Sequence, residues 1–303
     1  MRLAVIGSIN MDQVITTDRI PRKGETVPGS DLKYVPGGKG ANQAVAMARL
    51  GAEVSMFGCV GNDDNGRRLL ASLSAENVDV SRVRVMDNVP TGLAVITVAE
   101  QDNVIVVVGG ANALVDRVYI DSIAQELDGF DMVVMQHEIP LDTVHYVVSL
   151  CFEKHVPVVL NPAPAAKVPE EVLEKITYLT PNEHEARLIF GEDRSPEEIL
   201  SQNREKLVVT QGAKGVSVCL KDGTVLCVPA QKAEVVDTTG AGDTLNGAFA
   251  VRMTAGDTME EALKYANAAA GLSIEKFGAQ GGMPTDAAVR ERMMRTGQKK
   301  TWK

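Results

Sequence analysis

Cysteine is scarce and scattered in this 303-residue chain, and several other absences narrow the reading early. Cys59, Cys151, Cys219 and Cys227 form no CxxC pair and have no histidine set beside them. That argues against zinc ligation or a disulfide framework and for reduced residues in strands or the interior. His137, His145, His155 and His184 share no ligand spacing, and no Ser-His-Asp set can be drawn from them. Positive charge is not in excess: 31 Lys and Arg against 40 Asp and Glu give a formal net charge of −9. The surface as a whole is therefore no nucleic-acid footprint, and the basic residues of 295–303 read as a short solvated tail. No apolar run approaches membrane-spanning length, and Met1 leads straight into a strand-like segment that leaves no room for a signal peptide. A soluble cytoplasmic protein without nucleic-acid or membrane partners is expected. Two nucleotide signatures are also missing. Gly7-Ser8-Ile9-Asn10 is not GxGxxG, and Gly38-Lys39 is followed by Gly40 instead of completing GxxxxGK[ST]. A nucleotide, if bound, is bound another way.

What is present begins with alternation. Short apolar runs at 3–7, 54–60, 132–136, 156–161, 178–180, 207–211 and 216–220 are separated by helical stretches such as 41–50, 65–76, 141–154 and 183–190. This predicts an α/β fold with a doubly wound, mainly parallel sheet covered by helices on both faces. In such sheets ligands collect outside the carboxyl ends of the strands. Two segment pairs break the alternation: 13–17 with 31–35, and 93–99 with 104–108 across Glu100-Gln101-Asp102-Asn103. The second pair reads as an antiparallel hairpin. Together they predict a small inserted sheet that serves as a lid, the alternative being an edge extension of the main sheet. Its apolar residues Val95, Thr97, Val106 and Val108 offer a face for a second subunit. Residues 221–224 form a turn between 216–220 and a strand at 225–228, so the second half also contains antiparallel pairing.

Chemistry concentrates in two glycine clusters. In Asp237-Thr238-Thr239-Gly240-Ala241-Gly242-Asp243, small residues let backbone N–H groups crowd around an anion at the start of a helix. A carboxylate there would repel phosphate, which makes sense if Asp243 takes a proton from an attacking hydroxyl. The competing reading is that Asp243 is an N-cap. In Pro36-Gly37-Gly38-Lys39-Gly40-Ala41-Asn42-Gln43, the glycines permit a tight bend at a helix start. With Asn10, Asp12 and Glu138, Lys39 and Asn42 would supply the paired donors and acceptors that a polyhydroxylated ligand needs. Asn182 and Glu185 stand at a strand-to-helix junction. Their spacing suits an amide on phosphate and a carboxylate holding magnesium through water, or an ordinary helix start. Thr210-Gln211-Gly212-Ala213-Lys214-Gly215 has the glycines of a turn able to admit a nucleotide.

These blocks, in this order, resemble the ribokinase/PfkB family of carbohydrate kinases. The motifs that carry the resemblance are Gly37-Gly38-Lys39-Gly40-Ala41-Asn42-Gln43-Ala44 and Asp237-Thr238-Thr239-Gly240-Ala241-Gly242-Asp243-Thr244, and the likeness extends from Gly7 to Gln280. It implies one domain over 1–303, with a lid from insertions at about 13–36 and 91–108, and a homodimer through that lid. It implies ATP-dependent phosphorylation of D-ribose at the 5-hydroxyl; a family kinase for deoxyribose, a nucleoside or another sugar is the alternative, and a non-catalytic sensor a further one. Asp243 would be the base, with Gly240, Ala241 and Gly242 as the anion hole. Asn10, Asp12, Gly38, Lys39, Asn42 and Glu138 would hold the sugar. Asn182, Thr210, Gly212, Gly215, Gly242 and Asn267 would contact ATP, and Glu185 would support Mg²⁺ through water. The resemblance also implies a potassium-type ion at Asp237, Thr239, Ser273, Lys276, Gly278 and Gly282. Gly282 stands where the family commonly has serine, and Phe277 and Gly281 also depart from its pattern.

Overall fold

A computed structural model describes residues 1–100 and 102–297. Six parallel strands form the central sheet, in the order Tyr178–Leu179, Val158–Asn161, Met132–Gln136, Arg2–Ile6, Glu53–Phe57 and Val78–Asp79. Its inner strands are continuous apolar runs because both faces are covered: all five residues of Met132–Gln136 are buried. Successive side chains alternate between two cores. Leu3 and Val5 join the helices Lys39–Arg49, Ala241–Thr254 and Met259–Ser273, whereas Ala4 and Ile6 join Arg117–Ile123 and Leu141–Glu153.

The first strand lies between Met132–Gln136 and Glu53–Phe57, so strand order reverses at its carboxyl end. Such a switch point opens a crevice. The chain leaves it directly into a second, separate sheet of order Gly29–Gly37, Asn10–Thr17, Gly92–Ala99, Asp102–Val108. The inserted sheet is thus a sheet of its own and no edge extension. Of the Glu100–Asn103 link, Gln101 lies outside the described residues, as do residues 298–303 of the basic tail, and Asp102 and Asn103 already belong to the strand. Val95 pairs with Val106, Thr97 with Val104 and Leu93 with Val108, which puts the predicted apolar set on one face; Asp12, opposite Ala94, belongs to the other.

Two expectations need correction. Residues 54–60 are not one strand: the chain breaks at Gly58, where a Cβ would come within 2.8 Å of the Gly7 carbonyl oxygen, and Cys59–Gly61 pairs separately with Arg84–Met86. The runs at 207–211 and 216–220 do not extend the parallel sheet as parallel strands. Val208–Thr210, Val216–Cys219 and Val225–Val228 form an antiparallel sheet, tied to the main one by single parallel bridges, Leu179 to Leu207 and Asn182 to Thr210. Among the described residues no helix is long and apolar enough to cross a membrane.

Candidate active site

Helix Ala241–Thr254 starts on Gly240, whose φ of +77° favours glycine; a Cβ there would lie 2.8 Å from the Ala279 Cβ. Ala241 donates its N–H to the Thr238 carbonyl at 3.2 Å. The N–H groups of Gly240, Gly242 and Asp243 meet no protein acceptor among the described residues, and Gly242 faces open space. A helix start with free N–H groups and positive dipole potential is suited to an anion.

Asp243 is not the N-cap. It sits at the third helical position, 5% exposed, and its carboxylate accepts from other elements. Oδ2 takes a hydrogen bond from Asn42 Nδ2 at 2.9 Å, and Oδ1 one from Gln43 Nε2 at 3.0 Å. Helix Lys39–Arg49 brings both amides there, and it packs close because Gly247 leaves room for Ala46. Asn42 also accepts from Gln280 Nε2 at 3.1 Å.

Around this carboxylate the switch point gathers polar groups. Glu138 Oε2 accepts from Ser8 Oγ at 2.6 Å and from the Lys39 N–H at 3.0 Å. Asn10 Oδ1 accepts from Asn112 Nδ2 at 2.7 Å, and Asn112 is itself held by the Ile9 N–H at 2.9 Å. Gly38 has a φ of +89°, and a Cβ there would meet the Asn10 nitrogen at 2.7 Å. Gly37 leaves space that the Asp12 carboxyl fills. Burial first, then the charges of Glu138 and Asp243, push the Asp12 carboxyl up to about 7. Asp243, against the desolvation of burial and with help from Glu138 and Glu185, raises the Lys39 ammonium above its usual range. Acids and cation thus feel one another across the crevice.

On the other side of the helix start lies a cavity of about 600 Å³. Its walls include Thr210, Gly212, Gly215, Thr238, Gly242 and Asn267. The sequence-predicted nucleotide residues therefore line one space, except Asn182, which does not touch it. Asn182 instead caps helix Glu183–Phe190 in a reciprocal box: its side chain accepts from the Glu185 N–H, and Glu185 Oε2 accepts from the Asn182 N–H, each at 2.8 Å. Glu185 Oε1 meets no protein donor among the described residues, so that oxygen can take water. Burial holds the Glu185 carboxyl above its ordinary range, opposed by the Asn182 N–H and Lys39. Asn267 spends its amide N–H on the Val228 carbonyl at 2.8 Å, where it braces the cavity wall.

The residues expected around a potassium-type ion lie on two facing segments, 237–239 and 273–282, which the Gly278 N–H ties together at Asp237. Against burial, hydrogen bonds from the Thr239 side chain and N–H and from the Gly278 N–H hold Asp237 below the usual carboxylate range. Gly278 accepts from the Gly282 N–H at 3.2 Å, and Lys276 is exposed. A Cβ at Gly282 would stand 1.8 Å from the Ser273 carbonyl oxygen, so serine cannot replace glycine on this backbone. The donor set consists of hard oxygens around an ionised carboxylate, which fits an alkali cation in chemistry. Gln136, at a strand end where ligands are expected to collect, and Ser8, Gln43, Asn112 and Gln280, which have no role assigned from the sequence, carry hydrogen bonds of the site. Gln43 lies inside a quoted motif, which is the signal that could have found it.

Comparison with known proteins gives a consistent result. The pattern of the pfkB family carbohydrate kinases matches residues 1–286. The ribokinase of Bacillus subtilis is 47% identical over 289 residues, covering 95% of this chain and 98% of that one. The ribokinase of Lactococcus lactis is 44% identical, covering 96% and 97%. Among solved structures, Arabidopsis thaliana ribokinase complexed with ribose and ATP superposes with a TM-score of 0.87 at 32% identity, covering 96% of this chain and 98% of that one. A base-like carboxylate beside free helix-start amides, on a chain matched almost end to end, leaves one placement: this protein belongs to the pfkB family of carbohydrate kinases.

Proposed function

We propose that the protein transfers the γ-phosphoryl group of ATP to the 5-hydroxyl of D-ribose, giving D-ribose 5-phosphate and ADP. The observation that carries this reading is the buried Asp243 carboxylate, fixed at both oxygens and set between a polyol-suited crevice and a nucleotide-sized cavity. The names of the relatives support ribose as the sugar.

In this reading ribose lies among Asn10, Asp12, Gly38, Lys39, Asn42 and Glu138, and ATP lies along Thr210, Gly212, Gly215, Gly242 and Asn267, with Asn182 nearby. Asp243 accepts the 5-hydroxyl proton as that oxygen bonds to the γ-phosphorus and the bond to the β-phosphate oxygen breaks. The free N–H groups of Gly240 and Gly242 hold the negative oxygens, and that of Ala241 joins them by releasing Thr238. Glu185 would hold magnesium through water, which when bound neutralises charge on the phosphates. Asp237, Thr239, Ser273, Gly278 and Gly282, with the Lys276 backbone, would hold a potassium-type ion that steadies the loop before Gly240. The 303 residues act as one catalytic domain, with the second sheet as a lid that excludes water. Free cysteines suit a cytoplasmic location.

Coupled ADP release with D-ribose, 2-deoxy-D-ribose and nucleosides tests the substrate. D-ribose should give the highest kcat/KM; a higher value for deoxyribose or a nucleoside overturns the reading, and binding without ADP release indicates a sensor.

Asp12 makes ribose binding depend on pH. Its folded value near 7 lies above an unfolded value of 3.8, so its contribution to stability is full below about 4 and is lost as pH rises through 7. Ribose hydroxyls donate to the ionised form, so binding below pH 7 must release a proton. The ribose Kd should rise by up to about tenfold per pH unit below 7. Calorimetry in buffers of different ionisation enthalpy measures the release, and a Kd flat from pH 5.5 to about 8 contradicts it.

The lid face of Leu32, Tyr34, Val104, Val106 and Val108 is about half exposed, Val106 at 60%. We assign it to a second copy of the chain. Sedimentation should show a dimer that V106R converts to monomer; a monomeric parent protein refutes the assignment.

A further inference from the structure

Asp243 is gripped by two consecutive residues of one helix, and only one of them faces the sugar crevice in the reading above. The other, Gln43, is fully buried, and every polar group of its side chain is committed. Nε2 donates to Asp243 Oδ1 at 3.0 Å and to Asn161 Oδ1 at 3.3 Å, while Oε1 accepts from Gln136 Nε2 at 2.7 Å. Asn161 is oriented in turn by its own donation to the Thr180 carbonyl at 3.2 Å.

This arrangement has one direction only. Turning the Gln43 amide over would set its oxygen against two acceptors and its nitrogen against the Gln136 nitrogen. Gln136 must therefore present its nitrogen, and its Oε1 is left buried with no donor. Space for that oxygen exists because residue 7 is glycine: a Cβ there would come within 2.1 Å of it. An unpaired buried acceptor is costly, but a methyl-bearing side chain at 136 would remove it only by leaving Gln43 Oε1 without its donor. The molecule keeps a glutamine whose side chain, among the described residues, bonds to the amide that holds Asp243.

We propose that Gln43 is a positioning residue for phosphoryl transfer, locked by Gln136 so that its N–H fixes the Asp243 carboxylate in the orientation that receives the proton. This rests on Asp243 being the base. Gln43 does not meet the sugar or the nucleotide; it acts through the rotation of one carboxylate. Side chains that orient metal ligands contribute about 10–100-fold to activity, and a comparable contribution is expected for one that orients a base.

The test uses the full-length enzyme with Gln43→Leu, Gln136→Leu and Asp243→Asn. Q43L should lower kcat about 10–100-fold while both KM values stay within about threefold, since ground-state contacts are untouched. Q136L should lower kcat in the same direction with a Tm close to the parental value, because it deletes one orphan acceptor, Gln136 Oε1, and leaves another, Gln43 Oε1. In the D243N background, Q43L should change kcat by less than about twofold, as expected for residues acting as one unit. A folded Q43L enzyme with parental kcat overturns the proposal, as does a loss confined to KM; a lowered Tm is expected, since Asp243 Oδ1, Asn161 Oδ1 and Gln136 Nε2 lose a buried partner. If Q43L does not fold, Q136L decides: parental kcat in that variant is refuting. Activity retained by D243N defeats the base reading itself, whereas an inactive D243N beside an unimpaired Q43L defeats only the positioning role.

Discussion

Asp243→Asn should reduce kcat by about 10²–10⁴-fold, the usual contribution of a positioned base, with ribose still bound. The amide has nearly the volume of the carboxylate, but it cannot accept the hydroxyl proton. It also offers only one oxygen to two donors, Asn42 Nδ2 and Gln43 Nε2. One donor–donor conflict follows, and a stability loss of about 1–3 kcal/mol should accompany the loss of turnover. The variant removes a negative charge that helps raise Asp12, so the pH at which ribose affinity falls should move down. Coupled ADP release and ribose calorimetry measure the two effects. Undiminished turnover in a folded protein would sink the mechanism.

Gly38→Ala should damage both folding and sugar binding, because it combines a left-handed backbone with a clash against backbone atoms. The backbone at 38, φ +89° and ψ 128°, is one that L side chains rarely adopt. The added methyl would also press on backbone: Asn10 N at 2.7 Å, Ile9 Cα and Ser8 O at 3.1 Å. None of these can rotate aside as a side-chain end could. A destabilisation of about 2–4 kcal/mol is expected, combining strain and displacement. Because the displaced segment carries Asn10 and Asp12, ribose KM should rise at least about tenfold. Gly24→Ala is the control: φ is +83°, but nothing lies within 4 Å of its Cβ, so strain acts alone, at about 1–2 kcal/mol. Denaturant midpoints should separate the two variants; equal losses would mean that close approach at Gly38 is unimportant.

The central sheet is legible in the sequence because strands covered on both faces must be apolar throughout. Residues 132–136 read as a strand and are one, to the residue. The break at Gly58 is not legible, since it depends on where the Gly7 carbonyl arrives from a distant strand. The antiparallel sheet near 208–228 could have been seen: a link as short as Gln211–Gly215 cannot cross back to a parallel strand. At the site, the glycine clusters announce themselves by composition. The amide chain does not, for Gln43 is 200 positions from Asp243 and 93 from Gln136, and glutamine has no pattern of its own. Asn182 and Glu185 illustrate the opposite case, where one spacing serves a helix cap and a binding role together, so the local signal cannot separate them.

Asn10 and Asp12 belong to a strand of the second sheet, while Asp243 and the unpaired amides belong to helix Ala241–Thr254, whose start borders the cavity of about 600 Å³. The scaffold is therefore modular in its chemistry. Edits to a few strand positions can retune which polyol is admitted, and the phosphoryl-handling apparatus inherits the new guest without being rebuilt.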